Sequence, residues 1–249
     1  AVIFCLLGAW LYLHTATPIY NVSATVLVKD DKKGGSAGMA SELENLGLNG
    51  LVTSSQNIDN ELEVLRSKTI AKEVVVDLGL YISYKDEDEF PAKDMYKTSP
   101  VQVNLIPQEA ELLDEPMIVE MALQPQGSLD VNVKVGDDEF QKHFDKLPAV
   151  FPTTRGTLAF FQSPDSLLSK ETEDVDSEKK VRNITARINQ PLRVARWYCK
   201  NMTIEPTSKT TSVAVVSLKN SSLHRGQDFI NKLLEMYNIN TNNDKNEIA

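Results

Sequence analysis

Side chains able to do nucleophilic, acid–base or metal chemistry form no telling arrangement in this chain: carboxylates are plentiful, as in any acidic protein, while histidines and cysteines are few and scattered. Its three histidines, His14, His143 and His224, lie far apart, and none sits in an H-E-x-x-H or similar metal-ligating spacing. The two cysteines, Cys5 and Cys199, form no C-x-x-C, and Cys5 falls in an apolar run, so the pair is not expected to bond. The charged, glycine-rich stretch from Lys29 to Gly38 follows a strand-like pattern, as a phosphate loop would. Such a loop closes on Gly-Lys-Ser/Thr, whose Lys reaches the phosphates and whose hydroxyl binds magnesium; here Met39, Ala40 and Ser41 follow instead. The acidic runs at 86–89 and 171–176 lack the ligand spacing and sharp-turn glycine of a calcium loop, and read as solvated segments. No catalytic residue, cofactor or metal is therefore expected, and the segment reads as non-enzymatic.

Composition narrows the partners. With 249 residues, 41% hydrophobic and 24% charged, the chain is of the globular kind. A net charge of -9 argues against nucleic acid, whose phosphates call for a basic face, and against an anionic membrane surface.

The elements that would carry any function begin with an uncharged run, Ala1 to Leu13. A spanning helix takes about 20 apolar residues, so residues 1–15 are expected to be part of a transmembrane helix, with Trp10 and Tyr12 at the interface. No Lys or Arg occurs before Lys29, which places the chain that follows on the non-cytoplasmic side. A buried helix or a signal-peptide core is the other reading of the same run.

After Pro18 the period changes to two, with Tyr20, Val22, Ala24, Val26 and Val28 on one face of a strand. Next come two short amphipathic helices. Asn57 caps the first, which carries Ile58, Leu62 and Leu65; Ser67 caps the second, which carries Ile70, Val74 and Leu78 and stops at Gly79. From Pro100 to about Phe161 the alternation is β-like: Val101, Val103, Leu105, then Met117 to Leu123, then Leu129 to Val135, then 156–161. Beyond the second acidic run lie a strand at 184–188 and a helix from Pro191 bearing Leu192, Ala195 and Cys199. Strands at 202–205 and 212–218 follow. Ser222 then caps a long helix with Gly226, Phe229, Ile230, Leu233, Leu234 and Tyr237 on one stripe. The expected fold class is α/β (α+β), a mixed-sheet base with a long C-terminal helix. Its divisions are 1–15 (partial membrane helix), 16–99, an inserted β-rich module at 100–165, and 166–249 leading toward a second membrane helix.

Several blocks in this order resemble a known family. Pro18-x-Tyr20-x-x-x-Ala24, then Ile58-x-Asn60-Glu61-Leu62-Glu63-Val64-Leu65-Arg66-Ser67, then Val74-Val75 and Leu78-Gly79-Leu80 look like the chain-length determinant (Wzz-type) domain of bacterial polysaccharide co-polymerases. Pro191-Leu192, Ile204-x-Pro206, Val213 to Leu218, and Phe229-Ile230-Asn231-x-Leu233 with Tyr237 are similar to that family's later segment. The resemblance implies an inner-membrane protein with a periplasmic α/β domain. Its partners would be itself, as a ring-like homo-oligomer, and the machinery that polymerises or exports O-antigen, capsule or exopolysaccharide. Larger Wzc-like members resemble it in the 100–165 insertion. Some members add a cytoplasmic tyrosine autokinase, whose nucleotide motif does not occur here.

Asn60, Glu61, Glu63 and Arg66 are the candidate oligomer interface, since alternating charges on one helix side can pair between identical subunits. A solvated helix face, where such pairs contribute about 0–1 kcal/mol, accounts for them equally well. The alternative functions are a periplasmic adaptor of a secretion system and an anchored glycan-binding ectodomain.

Overall fold

The computed structural model describes residues 2–15, 18–28, 59–163, 180–208 and 213–247. It forms two compact units, one of Ala1–Pro18 with Gly79–Val194, the other of Ile19–Leu78 with Ala195–Ala249. The chain is thus a mixed α/β protein, with three sheets among the described residues and a long C-terminal helix. The Gly-rich stretch from Lys29, the expected cap Asn57 with the apolar Ile58 beside it, and the acidic run 171–176 lie outside the described residues.

The first helix, α1 (Val2–Thr15), has 14 residues. At 1.5 Å per residue that is about 21 Å, short of a hydrocarbon core of about 30 Å. Among the described residues no helix is long and apolar enough to cross a membrane. The expected transmembrane segment is met only as this short, largely apolar helix, with Phe4 85% and Trp10 62% exposed.

The unit holding residues 19–78 and 195–249 is built on one antiparallel sheet. Its order is β1 (Tyr20–Leu27), β12 (Val213–Asn220), β11 (Met202–Pro206). Alternation sets the faces as expected: Val22, Val26, Ala214, Val216, Leu218 and Ile204 are buried, while their strand neighbours are not. Helices cover that face. Residues 59–65 (α2) bury Leu62 and Leu65, and α3 (Lys68–Asp77) buries Ile70, Ala71, Val74 and Val75. Ser67 caps α3 by accepting from the Thr69 amide at 3.2 Å. Gly79 ends it in the left-handed region, φ +63°.

The C-terminal helix, α6 (Leu223–Glu247), buries Gly226, Phe229, Ile230, Leu233 and Tyr237. Ser222 caps it, accepting from the Arg225 amide at 3.4 Å. Gly226 lets α6 come close: a Cβ there would sit 3.0 Å from Val22 Cγ2 and 3.5 Å from Asn220 Cβ. The N-terminal end of α6 therefore lies at the end of the sheet where the chain enters β1, and the helix runs back over β1 and β12.

The connecting helix, α5 (Pro191–Asn201), buries Pro191, Ala195 and Tyr198. Tyr198 stands where Cys199 was expected, and it stacks on Phe229 at 4.0 Å and 9°. Leu192 and Cys199 are half-buried.

The other unit is two-layered. A six-stranded antiparallel sheet runs β3 (Lys93–Asp94), β2 (Ile82–Asp86), β10 (Arg182–Ile188), β5 (Met117–Leu123), β6 (Leu129–Val135), β7 (Asp138–Phe144). A three-stranded sheet runs β4 (Val101–Asn104), β9 (Gly156–Gln162), β8 (Ala149–Thr153). Between β4 and β5 lies a short helix, α4 (Pro107–Glu111). The predicted strands within 100–161 are present, but β5 pairs with β10, and β10 with β2, so this β-rich stretch shares a sheet with strands before and after it.

Phe144 of one sheet meets Phe151 and Phe160 of the other, at ring distances of 6.1 and 5.8 Å. Two tyrosines tie the layers by backbone bonds. Tyr81 donates to the Leu105 carbonyl at 2.8 Å; Tyr84 donates to the Val103 carbonyl at 3.1 Å and accepts from the Val103 amide at 2.9 Å. Burial pushes the Tyr84 phenol up to about 12, so it holds both bonds across the ordinary pH range.

Gly79→Ala should cost about 1 kcal/mol, because space is open around the position but its positive φ disfavours any Cβ. Urea unfolding checks this, and an unchanged midpoint would show that the helix stop tolerates a side chain.

Candidate interaction surfaces

The four residues singled out as an interface do not share one environment. Asn60 is exposed, and so is Glu63, whose side chain is 71% accessible. Glu61 instead turns inward, accepting a hydrogen bond from the Tyr237 phenol of α6 at 2.6 Å. Arg66 spans both roles. Its Nη1 pairs with Glu63 at 2.8 Å, while its Nη2 donates to the Ile204 carbonyl of β11 at 2.5 Å. One turn further along this face, Lys232 of α6 bonds to Asp77 of α3 at 2.9 Å and to Glu235 at 3.1 Å, and both carboxylates push its ammonium up. Glu61, Arg66 and Asp77 thus clasp the helix pair to the sheet and to α6, and Asn60 with Glu63 remains outward.

Sequence spacing could place these four on one helix, but not separate them. Glu61 and Arg66 find partners 176 and 138 positions away, which no local pattern encodes.

The other unit carries a polar hollow of about 850 Å³ on the six-stranded sheet. It is lined by alternate, outward positions of neighbouring strands, among them Glu120, Asp130, Asn132, Gln141, His143 and Asn183. These side chains hold one another. Lys134 bonds both oxygens of Glu120 at 2.8 and 2.9 Å, and Asn132 donates to Glu120 at 3.0 Å and to Glu139 at 2.8 Å. His143 Nδ1 meets Asp130 at 2.5 Å, and Gln124 donates to the same carboxylate at 3.1 Å.

The charges shift accordingly. The Lys134 bond holds Glu120 below the usual carboxylate range, and His143 does the same to Asp130; Asp130 in turn raises His143. No sequence pattern marks His143 as part of a site, since a lone histidine carries no spacing signal; the cross-strand register of β6 and β7 is what places Asp130 opposite it. Among the described residues no group of three or more His, Cys, Asp or Glu is arranged to hold a metal. The spacing G-x-S-x-G does occur at Gly34 to Gly38, outside the described residues.

Residues 1–78 match the chain length determinant protein family, Wzz. The match covers 78 of the 249 residues, a stretch that holds α1, β1, α2 and α3. The later block from Pro191 to Tyr237, which also resembled the family, lies beyond the match. No curated protein matches the chain.

Two outcomes follow from the geometry. Removing the Glu61–Tyr237 bond by Glu61→Ala should cost about 1–3 kcal/mol, and the double variant with Tyr237→Phe should lose less than the sum. Additive losses in denaturant unfolding would mean that the two side chains do not bond. In the hollow, raised His143 adds stability below the ordinary imidazole value and loses it as pH rises through its raised value. Lowered Asp130 adds stability above the ordinary carboxylate value and loses it as pH falls through its lowered value. Asp130→Asn should bring the His143 midpoint in an NMR titration back toward about 6.5. The return is partial, because Asp145 stays 3.4 Å from Nε2; a midpoint that does not move would rule the pair out.

Proposed function

We propose that this chain is the periplasmic portion of an inner-membrane polysaccharide co-polymerase, a protein that self-associates and sets the length of O-antigen, capsular or exopolysaccharide chains. The observation that carries it is the coincidence of the Wzz match with a built structure. The matched residues supply α1, the first strand and the helix pair, in the order the family resemblance calls for. In this reading α1 belongs to a membrane anchor, and the domain acts by assembly with its own copies and with the polymerisation or export machinery rather than by catalysis.

Asn60 and Glu63 take over as the interface candidates, because they face outward while Glu61 and Arg66 bind within the unit. Replacing the chromosomal copy with Asn60→Lys and Glu63→Lys together should change the length distribution of the surface polymer on a gel, or the oligomer size in detergent. The melting temperature should stay within a few degrees, as expected for exposed positions. Unaltered polymer and unaltered assembly would remove this surface from the interface. A deletion of the whole gene that leaves polymer length untouched would reject the co-polymerase reading itself.

A further inference from the structure

The net charge of -9 counts against an anionic surface as partner, but the charge is unevenly spread. The connecting helix α5 holds Arg193, Arg196 and Lys200 and no carboxylate. In its second half Arg196, Trp197 and Lys200 are all exposed. At 100° per residue their directions centre on the side opposite buried Ala195 and Tyr198. Neither Arg196 nor Lys200 has an ion-pair partner among the described residues.

Trp197 is 47% exposed yet held in place, its ring edge-on to Tyr198 at 5.1 Å and 90°, and Tyr198 is itself stacked on core Phe229. A fixed, half-wet indole between two unpaired cations suits one environment well. That environment is a phospholipid headgroup layer, where indole sits at the boundary and Arg or Lys meets phosphate.

The register says where this stripe lies within its unit. Val22 of β1, Leu218 of β12 and Met202 of β11 form one row across the sheet. Met202 directly follows α5, so the last turn of α5 ends two residues along from Tyr20, on the far side of β12, about 10 Å away at the usual strand spacing. Tyr20 is the point at which the chain enters the sheet, five residues after Thr15 ends α1. Five residues of extended chain reach at most about 18 Å. The cations and the indole therefore stand at the end of their own unit where the chain enters it from the N-terminal run.

We infer that Arg196, Trp197 and Lys200 form a membrane-facing stripe, which rests on anionic phospholipid headgroups beside the N-terminal anchor. This rests on the proposed anchoring of α1. Position decides the occupant: the same side chains could meet an acidic polymer, but a stripe at the entry end of the sheet is held against the bilayer by the anchor itself.

The test uses the two tryptophans of the chain. The chain carrying Trp10→Phe is reconstituted in vesicles of phosphatidylcholine and phosphatidylglycerol whose headgroups bear a nitroxide, so that emission reports on Trp197 alone. Trp197 emission should be quenched, less so at high salt and in vesicles without phosphatidylglycerol. Arg196→Glu with Lys200→Glu should abolish the quenching while the chain stays on the vesicles and melts as before. Unquenched Trp197 beside quenched Trp10, read in a Trp197→Phe chain, overturns the stripe and leaves the anchor standing. If neither tryptophan is quenched, the anchoring fails and the inference with it. Equal quenching without phosphatidylglycerol overturns the role of the cations, and an emission shift with alginate but not with lipid gives the stripe to an acidic polymer.

Discussion

Everything in the unit of residues 19–78 and 195–249 depends on the pairing of β1 with β12. Eight residues of each strand lie in register, from Tyr20 opposite Asn220 to Leu27 opposite Val213. The closure entropy of so long a loop grows only logarithmically, but it has to be offset before any local contact helps. Burial of Val22, Val26, Ala214, Val216 and Leu218 does that, each larger side chain contributing about 1.5–3 kcal/mol. Once the two strands are joined, α6 has a floor to pack on, Gly226 can approach Val22, and Tyr237 and Lys232 come within reach of Glu61 and Asp77. Residues 19–78 of the segment that matches Wzz are accordingly half of a folding unit, with its partner strand and covering helix supplied from beyond residue 194.

Much of the secondary structure was legible in the chain because burial on one side leaves a period. β1, β5, β6, β10 and β12 alternate cleanly, α6 shows its stripe, and Ser67, Gly79 and Ser222 mark helix ends by cap and turn chemistry. Where no face is buried, no period exists to read. β7, with the sequence Asp-Glu-Phe-Gln-Lys-His-Phe, is an edge strand without a buried residue, and it went unseen. The short β2, β3 and β8 and the five-residue α4 were missed because they are too brief to establish a pattern. Strand partners were invisible for a different reason: alternation fixes which face is buried, while the pairing of β10 with both β2 and β5 is a matter of tertiary packing.

The candidate site shows the same division. Residue types around Asn60 to Arg66 were correct signals of a charged helix, but partners distant in sequence turned Glu61 and Arg66 into internal fastenings. Net charge hides detail in a parallel way. As a sum over the chain it is strongly negative, yet it conceals a helix without a single acid whose cations and tryptophan share one face. The polar hollow on the six-stranded sheet emerged only when register brought Glu120, Asn132 and Gln141 into one row.

The most direct measurement is a disulfide trap of the β1–β12 register. Ser23 and Ser217 are directly opposed, and opposed Cα atoms in an antiparallel pair lie about 4.5–5.5 Å apart, within the range a disulfide spans. With Cys5 and Cys199 replaced by serine, Ser23→Cys and Ser217→Cys should oxidise readily to an intramolecular cross-link, while Ser23→Cys with Lys219→Cys should not. Failure of the first pair to cross-link, or equal yields from both, would contradict the register on which the unit is built.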